Sequence, residues 1–175
     1  VGGMIRRLQE EARETAEPDP AVQAMVEHKS GELVYTRRWL HARPEVSRSE
    51  HETTAALRER LQAEGLSPRV LSVGTGLICD IGHEGPLVAL RADIDALVMH
   101  DAKAVPYRSM NAGACHACGH DVHTAVLLGA GLVLMAERLE ARGGPVGAVH
   151  FRRLLWLLLL GLLHAGGWFR VHEAR

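Results

Sequence analysis

Leu87-Val88-Ala89-Leu90-Arg91-Ala92 runs directly into Asp93-Ile94-Asp95. The first six residues read as a strand buried on both faces, with two carboxylates at its carboxyl end. Open α/β sheets keep their functional groups beyond the carboxyl ends of strands. The stretch therefore predicts both a layered fold and the place where chemistry sits. Upstream, residues 69–73 and 77–81 are two more short apolar runs, set off by Gly74-Thr75-Gly76 and Gly82-His83-Glu84-Gly85-Pro86. They read as strands joined by glycine turns.

Helical patterns flank these strands. Residues 21–42 carry an imperfect apolar stripe of Val22, Met25, Val26, Leu33, Tyr35 and Leu40, which Arg43-Pro44 stops. Ser49-Glu50-His51-Glu52 fits a capping box for a second helix with Ala56, Leu57 and Leu61 inward, ending at Gly65. A third helix is predicted over 121–142, with Val126, Leu127, Ala130, Val133, Leu134 and Leu139 inward, and residues 146–151 read as a fourth strand. The alternation predicts an α/β protein, its helices packed on a mixed, mostly parallel sheet.

With 175 residues the chain has room for one domain with a real core. Its 20 basic and 21 acidic residues are nearly balanced, which offers no nucleic-acid footprint and no electrostatic anchor for a membrane surface. Three cysteines, Cys79, Cys115 and Cys118, make an odd number without a disulfide framework; this points to a reducing, cytoplasmic setting with thiols free for metal. The N-terminus shows no apolar secretory segment. Residues 1–20 read as a charged extension closed by Pro18-Asp19-Pro20, residues 21–151 as the domain, and residues 152–175 as a leucine- and arginine-rich tail. Its ten-residue run from Leu154 to Leu163 falls well short of the ~20 residues that span a bilayer.

Cys115-His116-Ala117-Cys118-Gly119-His120-Asp121-Val122-His123 places six potential metal ligands in nine residues. Thiolate, imidazole and carboxylate together suit zinc or a similar transition ion. The spacing is wrong for c-type haem, since Gly119 follows Cys118. A structural zinc site would need four ligands, and no second knuckle is present; His28, His41, His51, His83 and His100 stand as isolated histidines. An open site completed by distant residues is the remaining reading. A non-catalytic structural site made of Cys115, His116, Cys118 and His120 is the alternative. Asp93 and Asp95 add carboxylates that suit a cation or a metal-bound histidine, or else bind Arg91 and Lys103.

Five segments in order make the chain resemble the metal-dependent amidohydrolases of the aminoacylase, hippurate-hydrolase and carboxypeptidase-G type, peptidase family M20. They are Arg37-Arg38-Trp39-Leu40-His41-Ala42-Arg43-Pro44-Glu45, then Ser49-Glu50-His51-Glu52-Thr53, Gly74-Thr75-Gly76-Leu77, Leu90-Arg91-Ala92-Asp93-Ile94-Asp95-Ala96-Leu97, and His116-Ala117-Cys118-Gly119-His120-Asp121-Val122-His123-Thr124-Ala125. The resemblance implies an incomplete zinc-exopeptidase-like catalytic domain, with Cys118 and His120 as metal ligands and Cys115 and His116 as bystanders. It implies Asp95, and Asp93 beside it, as carboxylates orienting a ligand or tuning metal-bound water. It further implies a pair of divalent ions, zinc or manganese, and a small N-acyl amino acid or peptide-like substrate.

The likeness stops near Phe151. There the family carries Gln-Pro-Ala-Glu-Glu, which supplies the general base; here Phe151-Arg152-Arg153-Leu154 follows. The later histidine ligands and the domain through which family members often form homodimers have no counterpart either. The abrupt change is read as a truncated gene or as residues 152–175 translated out of frame, with a short paralogue bearing its own tail as the other reading. The expectation for this chain by itself is weak metal binding and no turnover.

Overall fold

A computed structural model describes residues 19–82, 87–141 and 167–172. The expected charged extension, the turn at 83–86, the fourth strand over 146–151 and the leucine run lie outside these. Helix α1 spans Pro20–Ala42. Asp19 caps it by accepting the Ala21 N–H at 2.8 Å, while Pro20 occupies the first turn, where its missing N–H has no partner to lose.

Helix α2, His51–Ala63, starts differently from the expected capping box. Its cap position is Glu50, and that side chain makes no capping bond. Ser49 lies one residue too early. Glu45, in the preceding loop, takes over: its carboxylate accepts the N–H groups of Glu52 at 2.9 Å and Thr53 at 2.7 Å. A full negative charge thus sits at the positive end of the helix. The other end follows expectation. Gly65 adopts φ +80°, and the N–H groups of Gly65 and Leu66 return to the carbonyls of Gln62 and Leu61. Arg60 binds Glu32 and Glu64, joining α2 to α1 and holding both carboxyls below their usual range.

Strands β1 (Arg69–Val70), β2 (Leu77–Ile81), β3 (Leu87–Ala92) and β4 (Gly167–His172) form one sheet in the order β1-β2-β4-β3. β1 is shorter than expected because residues after Val70 turn at once: Leu71 N–H reaches the Gly76 carbonyl at 3.0 Å. The sheet is mixed, but less parallel than expected. Among the described strands only β2–β4 is parallel, whereas β1–β2 and β3–β4 are antiparallel. The segment Gly167–His172, from the compositionally distinct tail, lies between β2 and β3, with Ala92 opposite Gly167 and Ile78 opposite Trp168.

Helix α3, His120–Ala141, packs on α1 and over β3 and β2. Its Leu127, Leu128, Leu132 and Leu134 meet Leu77, Cys79, Ile81, Leu90 and Ala92 from the sheet and Leu57 and Leu61 from α2 in a single core. Several expectations need correction, and in α1 Val26 and Tyr35 of the expected apolar stripe are exposed. Val126 is exposed, because the buried face of α3 runs through Leu128 instead. β3 is not buried on both faces: Leu90 and Ala92 face the core, Ala89 is exposed and Arg91 half-buried. α1 and α3 approach closely at Gly129, where a Cβ would stand 2.8 Å from Leu33 Cδ1. No described helix is long and apolar enough to cross a membrane.

Candidate metal centre and the buried polar cluster beside it

The end of β3 and the start of α3 meet at one point. Gly119 adopts φ +87°, a left-handed turn that lets Cys118 and His120 flank the helix start. His120 Nδ1 lies 2.9 Å from Asp95 Oδ1 and 3.0 Å from the Asp95 carbonyl. Both oxygens only accept, so Nδ1 carries a proton and donates it, and in the neutral ring the lone pair is on Nε2. That Nε2 is 3.6 Å from Asp93 Oδ2. Asp93 is buried and anchored, its carbonyl accepting the Thr124 hydroxyl at 2.8 Å. Both carboxylates that end β3 therefore converge on His120. The carboxylate–histidine pairing is the arrangement that orients metal-bound imidazoles.

Cys118 is exposed and adds a soft donor at the same turn. Imidazole, carboxylate and thiol fit a transition ion, and His120 and Cys118 are the residues that would hold one, with Asp93 beside them. They do not, however, draw together into a compact three-ligand group. His123 stacks its ring 6.0 Å from that of His120. His116 is buried with neither ring nitrogen hydrogen-bonded, and burial pushes its pKa down to about 4.

The one compact ligand group among the described residues lies elsewhere. His41, Asp101 and Cys115 are all buried, and their ligand atoms lie within 4.8 Å of one another. His41 comes from the last turn of α1, Asp101 from the loop after β3, and Cys115 from the strand-like pairing of that loop with Leu97. Two backbone N–H groups, Ser109 foremost and then Lys103, hold the Asp101 carboxyl down to about 2. Burial, reinforced by the Asp101 charge, raises the Cys115 thiol. His41 Nδ1 lies 2.7 Å from Asp121 Oδ2, and Lys103 Nζ 3.2 Å from His41 Nε2. Arg37 Nε makes an ion pair with Asp121 at 2.8 Å without hydrogen-bond angles. Tyr107 packs edge-on to His41 under the guanidinium groups of Arg37 and Arg38.

This cluster redistributes the nine-residue motif. The structural alternative of Cys115, His116, Cys118 and His120 around one ion is not formed among the described residues, since Cys115 turns to His41 and Asp101 instead. The sequence signal for His41 was its place in the Leu40-His41-Ala42-Arg43-Pro44-Glu45 segment, which by itself assigns no partner. Nothing in the spacing pointed to Asp101.

A histidine oriented by strand-end carboxylates, with a thiol on the other side of a left-handed glycine, is a donor set that fits a metal ion at the strand ends of an α/β scaffold. The comparisons make that reading specific. Residues 89–151 match the model of peptidase family M20/M25/M40. It is 45% identical over 114 residues to an N-acetyl-L-cysteine deacetylase of Bacillus subtilis, covering 64% of this chain and 27% of that protein. To the Arabidopsis thaliana IAA-amino acid hydrolase ILR1-like 4 it is 39% identical over 115 residues, covering 65% and 26%. A Rhodococcus jostii protein named for glutamate–cysteine ligase is 50% identical over 103 residues, but these make up 13% of its length. Among solved structures, the YXEP protein of Bacillus subtilis, a dinuclear metal-binding peptidase of the M20 family, superposes with a TM-score of 0.62 at 32% identity, covering 83% of this chain and 35% of that one. The chain thus spans about a quarter of the length of the two hydrolases.

Proposed function

We propose that this chain supplies the metal-holding part of an amidohydrolase that cleaves the amide of small N-acyl amino acids or similar conjugates. The observation that carries the reading is the fixed orientation of His120: Asp95 accepts its Nδ1–H hydrogen bond, and Nε2 faces Asp93. The names of the deacetylase and the amino acid hydrolase support the substrate class. A divalent ion held there, zinc or manganese, would polarise an amide carbonyl and acidify a water. In this division of work Cys118 and His120 bind the ion, and Asp95 is a positioning residue. The glutamate that would move the proton to the leaving amine belongs to a motif not found in these 175 residues. Three free thiols are in keeping with a reducing, cytoplasmic setting.

Equilibrium dialysis of the metal-stripped chain against Zn²⁺ and Mn²⁺ tests this. Cys118→Ser and His120→Ala should each weaken binding, and Asp95→Asn should weaken it by roughly 10- to 100-fold. Unchanged affinity in His120→Ala would sink the reading. Hydrolysis of N-acetylcysteine, assayed in parallel, should be absent for the chain alone.

A further inference from the structure

We propose that His41, Asp101 and Cys115 form a second divalent-cation site, suited to a soft ion such as zinc or cadmium and independent of Cys118 and His120. The three ligand atoms already lie within 4.8 Å of one another, and all three side chains are buried. Their hydrogen bonds prepare them as ligands. Asp121 accepts the His41 Nδ1–H, and Lys103, a pure donor, sits 3.2 Å from Nε2; Nε2 is therefore the acceptor nitrogen, its lone pair taken by the Lys103 ammonium that an ion would replace. Asp121–His41 repeats the carboxylate–histidine pairing of metal sites, on a different histidine from His120. Asp101 is held by the N–H groups of Lys103 and Ser109 and keeps further lone pairs on Oδ2.

The spacing of two of the ligand atoms also fits an ion. His41 Nε2 and Asp101 Oδ2 stand 3.5 Å apart, beyond a good hydrogen bond. Two ligands at ~2.1 Å from a tetrahedral ion are separated by roughly 3.4 Å. In the metal-free protein the Lys103 ammonium supplies the positive charge at this spot. A divalent ion would displace it, and the Cys115 thiol would lose its proton to solvent as the sulfur–metal bond forms. The ligands come from three separate segments, so the ion would fasten the 98–115 loop to the end of α1. Tetrahedral geometry leaves one position for water or an outside ligand.

The test uses the whole 175-residue chain, stripped with chelator, reduced, and titrated with Cd²⁺ alone. Binding is followed by stoichiometry and by the ultraviolet charge-transfer band of cadmium–thiolate bonds. In Cys118→Ser one cadmium and one thiolate band should persist. Cys118→Ser combined with Cys115→Ser should lose that band, with affinity falling more than ~100-fold. Lys103→Met, in the Cys118→Ser background, should tighten Cd²⁺ binding about tenfold, a gain that misfolding cannot mimic. Loss of the thiolate band in Cys118→Ser alone, or unchanged affinity in Lys103→Met, overturns the site. His120→Ala separates the two readings: it should abolish only the ion proposed for the amidohydrolase centre.

Discussion

His41 and Asp121 meet in the interior at 2.7 Å, one from the last turn of α1 and the other from the first turn of α3. Asp121 is fully buried, and Arg37 contacts the same oxygen. The pair fixes the helix start that carries His120. Replacing Asp121 by Ala would leave His41 and Arg37 facing a buried gap. We expect a loss of about 3 kcal/mol in urea unfolding, at the low end for a broken buried pair because Arg37 is partly open to water. Asp121→Asn, which keeps an acceptor, should lose less.

Glu45 does the work expected of Ser49. Glu45→Ala removes two charge-assisted bonds to the first turn of α2 and should cost about 1–2 kcal/mol, whereas Ser49→Ala should change stability little. Denaturant midpoints of the two variants decide between them.

Gly119 stands at φ +87° between the two expected ligands. A Cβ there meets no neighbour, so the penalty of Gly119→Ala is conformational alone, about 1–2 kcal/mol. If the backbone relaxes to escape it, His120 leaves Asp95 and metal affinity falls with stability. Calorimetric titration with Zn²⁺ beside thermal unfolding would show both losses.

Acid should weaken the metal-free fold in two stages of the same sign. His116 has an ordinary value of 6.5 and a folded value of about 4, so below pH 6.5 the unfolded chain takes up the proton first. Its contribution is complete above pH 6.5 and declines down to about pH 4. Asp101 follows: its ionised form favours the fold fully above 3.8, and that benefit disappears as the pH falls to about 2. Urea midpoints measured from pH 8 to pH 3 in chelator should show the first stage, and His116→Leu should flatten it.

Thiol reactivity should separate the cysteines. Cys118 is exposed; Cys79 is fully buried in the core, and burial lifts its thiol to about 11. Ellman's reagent should label Cys118 promptly in the native chain and Cys79 only on unfolding. Cys118→Ser should abolish the prompt phase.

The local features were legible in the sequence because their causes are local. Pro20, Gly65 and the apolar runs of β2 and β3 set boundaries that the fold reproduces to within a residue. The two carboxylates at the end of β3 were legible too, but not that both would face His120. What stayed hidden depends on long-range contact. Glu45 caps a helix that starts six residues later, and Asp101 joins His41 across 60 positions of sequence. Neither pairing leaves a periodic trace. The sheet order was hidden for the same reason: β4 enters between two strands that are neighbours in sequence.

That placement governs the order in which the molecule can be assembled. β2 and β3 leave the ribosome in succession, yet they do not pair with each other: β4 stands between them, its register running from Gly167 to His172. Until then the backbone groups of Leu87–Ala92 that face β4 have only water to bind, and the chain must close a long loop before the sheet gains its centre. On this topology the arrival of β4 is expected to be the late step of sheet assembly, with the edges of β2 and β3 open until then.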